Sequence, residues 1–518
     1  MRGPVRVGTC AIWLALGLAD CAGTHAVTQA AEGEWFLAQT PRFEVLTDGD
    51  PEVAADLAKD LERFHLVVMA RTTATEREAA PPLRIFLAHS RGDFRALGGT
   101  KNASGIFYSS HRGNHAIINI AATSDWQTSR NVLFHEYVHY VISIGGSHVP
   151  SWYNEGLAEY MSTTEFDDEG RYTVGKPSPG RMAGLTLGQW VHMRHVLEAD
   201  NIGELHRKTR DTYAQAWCAM HYLSSTSTLA GQLGEFLRLW QADVPSERAV
   251  ERAFGMDINA FDRMVRTYAG RSSFDYLRIE PVVPLAIPRV DVRGLRPAEA
   301  HLRLGTLLLN TLGPTPAALE VLDRARAHEP DNGLVETALS RAHWMRAELA
   351  RKEQRQADLD SALVAAAKHL ERAQALSPDA ANALTMTGNL HLTRAQLLDA
   401  RGGGDEAVQA ELKRSRNAYR KAIHANDALA EAYFGLGSSY LVRDSGSKEA
   451  VVVLEAAAFL VPRAPQVGLT LATVLMGRDQ HEEAIAPLRN VLSTTKNDKL
   501  RAVAHAMLDR IASNTAAN

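Results

Sequence analysis

Short apolar runs and helically spaced apolar positions alternate along the chain after residue 35. The runs contain β-branched and aromatic side chains and are bounded by turn-forming residues, as β-strands are. Apolar residues at helical spacing over residues 51–70 predict one helix, and from about residue 127 to 270 the pattern is helical. The pattern therefore predicts an α+β region with a small mixed sheet. The four predicted strands are residues 43–46, 83–87, 105–108 and 115–120.

The chain changes character over residues 281–297, where four prolines fall close together. No helix tolerates that density of proline, so these residues are predicted to be a linker. Residues 298–518 are rich in alanine and have a helical pattern throughout. The chain is therefore expected to end in an all-α region.

This helical region contains internal similarity. Four amphipathic helices end at comparable turns, at Glu329-Pro330, Ser377-Pro378, Ala425-Asn426 and Val461-Pro462. The last interval is close to the tetratricopeptide period of about 34 residues, and the earlier intervals are longer, which predicts longer helices or insertions. The region resembles a tetratricopeptide repeat (TPR) array of about four divergent units. A generic α-solenoid or helical bundle is the alternative.

Residues 1–26 have the pattern of a secretory signal peptide, with two arginines, a short apolar core and small residues after it. The apolar run is too short to span a bilayer. Residues 18–21 also resemble a bacterial lipobox, which implies a lipid anchor on Cys21, although Asp20 stands where that motif has a small residue. The chain is expected to be exported, to the periplasm or beyond. An apolar N-terminus that stays attached is the other alternative.

Composition narrows the classes of function. The 518 residues include 56 Lys and Arg against 60 Asp and Glu, a net charge of −4, which provides no field to attract nucleic acid. Three cysteines cannot form a disulfide framework. After removal of the leader only Cys218 remains, and we expect it to be a small buried apolar side chain.

The motif H-E-x-x-H occurs once in the predicted helical part, as His135, Glu136 and His139 with two residues between. Residues at positions i and i+4 share one face of a helix, so the two imidazoles can point at one ion. Glu136 lies beside the first imidazole, where it can act as a general base. Two imidazoles on one helix predict a zinc site whose third ligand comes from another element.

A second helix is predicted to follow, because Pro150 and Ser151 suit a helix start. Glu155 would then lie in its first turns and supply the third ligand. Glu159 is four residues further on, faces the same way, and can accept the N–H of a zinc-binding imidazole. Other histidines near in sequence are expected to be ordinary surface or core residues. These are His148, His192 and His195.

Residues 152–160 read W-Y-N-E-G-L-A-E-Y and resemble the W-L-N-E-G-x-A-E-Y signature of gluzincin metallopeptidases, including the aminopeptidase N family. Over roughly residues 35–280, the chain is most similar to bacterial peptidase MA-like domains, which are often fused to TPR repeats. The resemblance implies a zincin-like fold with Zn²⁺, in which His135, His139 and Glu155 are ligands and Glu136 is the general base. No G-x-M-E-N exopeptidase motif is apparent, so aminopeptidase activity is not implied.

The resemblance also bears on two further features. Tyr213 falls in a downstream helix where related gluzincins place a tyrosine that donates to the developing oxyanion. The alternative is an ordinary half-buried tyrosine. Residues 115–120 resemble the edge strand to which an extended peptide substrate adds as a further β-strand.

The expected organisation is an α+β zincin-like domain followed by an all-α TPR-like solenoid. Its segments are a signal peptide (1–26), a gluzincin-like metallopeptidase domain (27–280), the linker (281–297) and TPR-like repeats (298–518). The expected function is an exported zinc metallopeptidase whose repeats bind a protein substrate or partner, with no nucleic acid and no membrane span. One alternative is a non-catalytic interaction scaffold with a vestigial peptidase domain. Another alternative is an enzyme that keeps the zinc but hydrolyses an amide bond other than a peptide bond.

Overall fold

The structure is a computed structural model. It describes residues 32–72, 81–100, 103–120, 126–144, 149–199, 202, 205–206, 212–225, 227–281, 285–444, 446–495 and 497–517. The predicted signal peptide, Cys21 and His148 lie outside the described residues.

The strands form one large and one small sheet. In chain order they are β1 (Phe36–Gln39), β2 (Phe43–Thr47), β3 (Leu83–Ala88), β4 (Gly105–Ser110), β5 (Gly113–Asn119), β6 (Glu165–Phe166), β7 (Tyr172–Val174), β8 (Leu277–Ile279) and β9 (Asp291–Gly294). The large sheet has six strands in the order β4-β5-β3-β2-β1-β9, and the small sheet has the order β6-β7-β8. In the large sheet β2 and β5 run parallel to β3, and the remaining pairs are antiparallel. The predicted mixed sheet and its four predicted strands are confirmed.

One correction concerns the edge of this sheet. Residues 115–120 were expected to form the edge strand, but β5 is internal, paired with β3 on one side and β4 on the other. The expectation was wrong because the hairpin turn at His111 and Arg112 folds β4 back along the outside of β5. The free edge nearest the predicted metal helix is therefore β4.

Helices follow the strands through the N-terminal region. They are α1 (Pro51–Arg71), α2 (Arg91–Ala96), α3 (Trp126–Ile144), α4 (Ser151–Ser162), α5 (Pro179–Leu187), α6 (Met193–Glu198), α7 (Thr212–Ser225), α8 (Ser227–Gln241), α9 (Ser246–Phe254) and α10 (Ile258–Ala269). Helix α1 begins as the sequence predicted: Pro51 occupies the first turn, and the Asp50 carboxylate accepts the N–H of Glu52. Helix α3 carries the H-E-x-x-H residues, and α4 carries Glu155 and Glu159.

The large sheet is buried on both faces. One face packs against α1, α3 and α4 in the first core, and the other packs against the helical region in the second core. Side chains alternate between the two cores along β1, β2, β3 and β5, as the period of two requires. Ala38, Val45, Ile85 and Ala116 belong to the first core. Leu37, Leu46, Phe86 and Ile117 belong to the second core.

The predicted linker has a structural role in the sheet. Its residues 291–294 form β9, which pairs antiparallel with β1 and extends the sheet by one strand. The prolines of this stretch exclude a helix but are compatible with extended backbone at the edge of a sheet. The N-terminal region and the helical region are therefore joined by strand pairing as well as by the second core.

The C-terminal half is a long all-helical stretch, here called the array. Its helices are α11 (Pro297–Thr311), α12 (Pro316–His328), α13 (Gly333–Lys352), α14 (Gln356–Leu376), α15 (Ala381–Ala400), α16 (Asp405–Ala425), α17 (Ala430–Tyr440), α18 (Lys448–Leu460), α19 (Pro465–Gly477), α20 (His481–Thr494) and α21 (Asp498–Ala517). Consecutive helices from α11 to α20 pack as five pairs, and α21 packs on α20. No helix in the described part of the chain combines the length and apolar character needed to cross a bilayer.

The repeat boundaries match the sequence pattern closely. Helices α12, α14, α16 and α18 end at the four turns that the sequence marked. The longer intervals come from longer helices: α13 to α16 have 20 or 21 residues, whereas α17 and α18 have 11 and 13. The array has one more helix pair than the predicted four units. The pair α19 and α20 ends at Thr495, a turn that was not among the four marked in the sequence.

Candidate metal centre

Helix α3 brings His135 and His139 to one face, as expected from their spacing. Their rings lie edge to face, and their Nε2 atoms are 3.0 Å apart. Helix α4 packs against α3 and presents Glu155 to the same point. One oxygen of Glu155 lies 3.3 Å from Nε2 of His135 and 3.3 Å from Nε2 of His139. The structure therefore brings the three predicted ligands together.

The separations of these three atoms can be compared with those around a zinc ion. A tetrahedral zinc with bonds of about 2.0–2.1 Å holds any two ligand atoms about 3.3 Å apart. The observed separations are 3.0, 3.3 and 3.3 Å. The converging Glu155 oxygen is buried and makes no hydrogen bond within the described part of the chain. The residues present thus fit a small divalent cation with nitrogen and oxygen ligands.

Each imidazole has a partner on the side away from this point. Nδ1 of His139 lies 2.9 Å from the side-chain oxygen of Asn154, so Nδ1 donates and the Nε2 lone pair faces the other ligands. Nδ1 of His135 lies 3.4 Å from a carboxylate oxygen of Glu159. Such partners fix the tautomer and orientation of metal-binding histidines. Glu159 therefore lies where the sequence predicted, and Asn154 is an addition that the sequence reasoning missed.

The electrostatics keep Glu155 anionic. Burial by itself would raise the pKa of Glu155, but His139 and His135 hold it well below its usual range. Burial would likewise lower the pKa of His135, and the carboxylates of Glu159 and Glu155 outweigh that effect and raise it. A metal ligand must be available in its deprotonated form. Glu155 meets that requirement through its two imidazole neighbours.

Arg181 and Tyr213 complete the surroundings of Glu159. Arg181, in α5, donates from Nε to one oxygen of Glu159 at 2.7 Å and from its Nη2 to the other. Its guanidinium lies 5.4 Å from the centre of the Tyr213 ring. Burial, followed by the negative charge of Glu155, raises the pKa of Tyr213, so its hydroxyl stays protonated. Tyr213 is therefore near the cluster as a potential donor.

Glu136 is contacted by a residue from the far end of the chain. Arg463, in the turn between α18 and α19, places Nη2 3.4 Å from a carboxylate oxygen of Glu136 and Nη1 3.3 Å from its backbone oxygen. The two residues are 327 positions apart. No local pattern in the sequence indicates this contact, and none indicates the role of Arg181.

Gly156 explains why α4 can hold Glu155 so close to His135 and His139. A Cβ at Gly156 would lie 2.6 Å from the backbone oxygen of Ala216 in α7 and 3.2 Å from the Cβ of Met220. The two helices therefore pack through a glycine contact, and backbone atoms cannot yield as a flexible side chain can. This contact fixes the depth of α4, and with it the position of Glu155.

Gly156→Ala is expected to lower the free energy of unfolding by about 1–3 kcal/mol, because the added methyl group overpacks the contact between α4 and α7. The measurement is urea unfolding followed by circular dichroism. Gly234→Ala in α8 is the matched control, since its Cβ would meet no atom within 4 Å. That control should be neutral or stabilising by up to about 1 kcal/mol, because alanine favours a helix over glycine. Equal stability of the two variants would contradict the packing argument.

Comparisons with known proteins concern the helical half. No protein-family model and no curated protein matches this chain. Among solved structures, a thermophilic TPR protein of Thermus thermophilus is 19% identical, covers 41% of this chain and 98% of its own, and has a TM-score of 0.33. The protein pilF of Pseudomonas aeruginosa is 16% identical, covering 41% of this chain and 88% of its own, with a TM-score of 0.29. YrrB, a TPR protein with an unusual peptide-binding site, is 15% identical over 40% and 91%, with a TM-score of 0.24. The array is similar to TPR structures in its helical repeat architecture.

Proposed function

We propose that this chain is a zinc-dependent peptidase, with a gluzincin-like catalytic region followed by TPR-like repeats that bind a protein. One observation carries the proposal: Nε2 of His135, Nε2 of His139 and one oxygen of Glu155 converge with separations of 3.0–3.3 Å. Glu136 is next to His135 on the same helix. Two imidazoles and one carboxylate are a ligand set of catalytic zinc sites.

The side chains then have distinct tasks. Bound zinc would supply Lewis acidity towards a carbonyl oxygen and would lower the pKa of a water molecule. Glu136 takes a proton from the attacking water and passes it to the leaving amine. Tyr213 is the proposed donor to the developing oxyanion. Asn154 and Glu159 hold the two imidazoles with Nε2 towards the ligand point.

The substrate class follows from the free edge of the sheet. Strand β4 is at the edge of the large sheet, and α3 packs against it. An extended peptide that adds to β4 as a further strand would have its backbone bound in a regular register. We therefore propose unfolded or extended polypeptide as substrate. The signal-like residues 1–26 support an exported protein, and a lipid anchor on Cys21 is an alternative form of it.

Metal removal tests the proposal. Treatment with a chelator at neutral pH is expected to stop cleavage of a fluorescently labelled unfolded protein, and one equivalent of Zn²⁺ should restore it. Mg²⁺ is the control and should not restore cleavage, because it prefers oxygen ligands over imidazole. Cleavage that persists after complete removal of the metal would contradict a zinc-dependent reaction.

A second candidate is a non-catalytic interaction scaffold. The observation that favours it is the contact of Arg463 with Glu136, which engages the proposed base with a residue of the array. A scaffold has no need for the metal, so its binding of partners should be the same with and without zinc. Cleavage by any form of the protein would decide in favour of the peptidase.

A further inference from the structure

The tip of the β4–β5 hairpin is enclosed by the array. The side chain of Arg112, at the hairpin turn, is only 3% exposed, and its Nε lies 3.7 Å from a carboxylate oxygen of Glu431 in α17. Its guanidinium also lies 5.9 Å from the centre of the Trp344 ring in α13. The neighbouring His111 stacks on Phe434 of α17, with ring centres 4.5 Å apart. The hairpin tip of the N-terminal region is thus enclosed by helices α13 and α17 of the array.

The acceptor of Arg112 is itself deeply buried. Glu431 is 3% exposed and also accepts hydrogen bonds from Arg341 at 2.5 Å and from the side-chain amide of Asn389 at 3.3 Å. A buried carboxylate is stable only when it is paired and hydrogen-bonded, and a guanidinium provides the matching planar fork. We call Trp344, Asn389 and Glu431 the arginine pocket. The pocket anchors the hairpin tip, and with it strand β4, to the array.

Arg463 makes the second contact, at the proposed catalytic base. Besides binding Glu136, its guanidinium lies 4.8 Å from the centre of the Phe107 ring on β4. Arg463 therefore sits between α3 and β4, and its side chain is 12% exposed. An extended peptide that pairs with β4 and reaches Glu136 would have to pass through this position.

We propose that helices α17 to α20 of the array are an intramolecular cover of the candidate site, anchored by the contact of Glu431 with Arg112 and closed by Arg463 on Glu136. The inference rests on the proposed function, because it assigns regulation to that site. In the closed form the Arg463 guanidinium contacts the Glu136 carboxylate and fills the space beside β4. Substrate enters when helices α17 to α20 move away from the hairpin, which breaks both contacts.

The position of Arg463 favours blocking over a role in binding substrate. A residue that recognises a substrate carboxylate leaves the base accessible, whereas Arg463 contacts the base through both the side chain and the backbone oxygen of Glu136. The two roles predict opposite changes in activity when the Arg463 side chain is removed. Removal of a blocking residue raises activity, and removal of a substrate-binding residue lowers it.

The activity test compares Arg463→Ala with Arg489→Ala in the full-length, zinc-loaded chain. Arg489, in α20, also bridges the array to the N-terminal region, by an exposed contact of 2.9 Å with Asp243, but it is not at the site. We expect Arg463→Ala to raise kcat/KM on an unfolded protein about tenfold, equivalent to ~1.4 kcal/mol for the lost contact. Arg489→Ala should match the wild type. Unchanged or lower activity in Arg463→Ala would overturn the proposal.

A second readout does not depend on catalysis. Amide hydrogen exchange of residues 105–110 should be faster in Arg463→Ala and in Arg112→Met than in the wild type, while exchange in α1 stays the same. Methionine keeps much of the arginine's length and leaves Glu431 paired with Arg341. Faster amide exchange in these two variants, with no cleavage by any form of the protein, would support the cover and reject the assignment as a peptidase. Unchanged exchange in both variants would overturn the cover whatever the activity.

Discussion

His139→Ala is expected to reduce the zinc content of the purified chain from about one ion to near zero. His139 supplies one of three converging atoms, and the two that remain on His135 and Glu155 leave a site with too few ligands to retain the ion at neutral pH. Metal analysis after dialysis against zinc-free buffer measures the content. Thermal unfolding should also lose its dependence on added zinc, because an ion that binds only the folded state stabilises it.

The control for this variant is His195→Ala. His195 lies in α6 and was expected from the sequence to be an ordinary histidine. Its replacement should leave the zinc content unchanged. Full zinc occupancy in His139→Ala would mean that the ion is bound elsewhere, and the assignment of the centre would be wrong.

Glu136→Gln is expected to retain zinc and to lower the rate of cleavage by about 10²–10⁴-fold, the usual contribution of a general base. The amide is nearly the same size as the carboxylate, so it preserves the packing of α3, but it cannot accept a proton. The rate should be measured in the wild-type background and in Arg463→Ala, because the proposed cover lowers the activity of any variant that retains Arg463.

The control for the base is Glu198→Gln, at the end of α6, which removes the same charge away from the three converging ligands. It should cleave at the wild-type rate and bind zinc normally. A Glu136→Gln variant that keeps full activity would exclude Glu136 as the base. A variant that loses zinc would show that the residue acts on the metal centre rather than on a proton.

Local patterns predicted the parts of the site that lie close together in the sequence. The spacing of His135 and His139 requires only helix geometry, and the start of α4 at Ser151 places Glu155 within reach. The strands and α1 were predicted for the same reason, since their side-chain periods are local properties. Asn154 was missed although it adjoins Glu155 in a motif that had been identified. Its amide could have been recognised as a partner for an imidazole.

Contacts between distant segments could not be predicted in this way. Strand β9 joins a sheet whose other strands lie far before it in the chain. Arg463 and Glu136 are 327 residues apart. Such contacts depend on how the array packs against the sheet through the second core. A single sequence carries no local signal for that arrangement.

Digestion of an unfolded protein mixture by the full-length chain tests the central claim most directly. Zinc-loaded wild type and Arg463→Ala would each be incubated with the mixture beside their Glu136→Gln counterparts, and new peptide termini would be identified by mass spectrometry. New termini are expected with both proteins that retain Glu136, more of them with Arg463→Ala, and almost none with the Glu136→Gln forms. An absence of new termini with zinc-loaded wild type and Arg463→Ala alike would contradict the assignment of this chain as a peptidase.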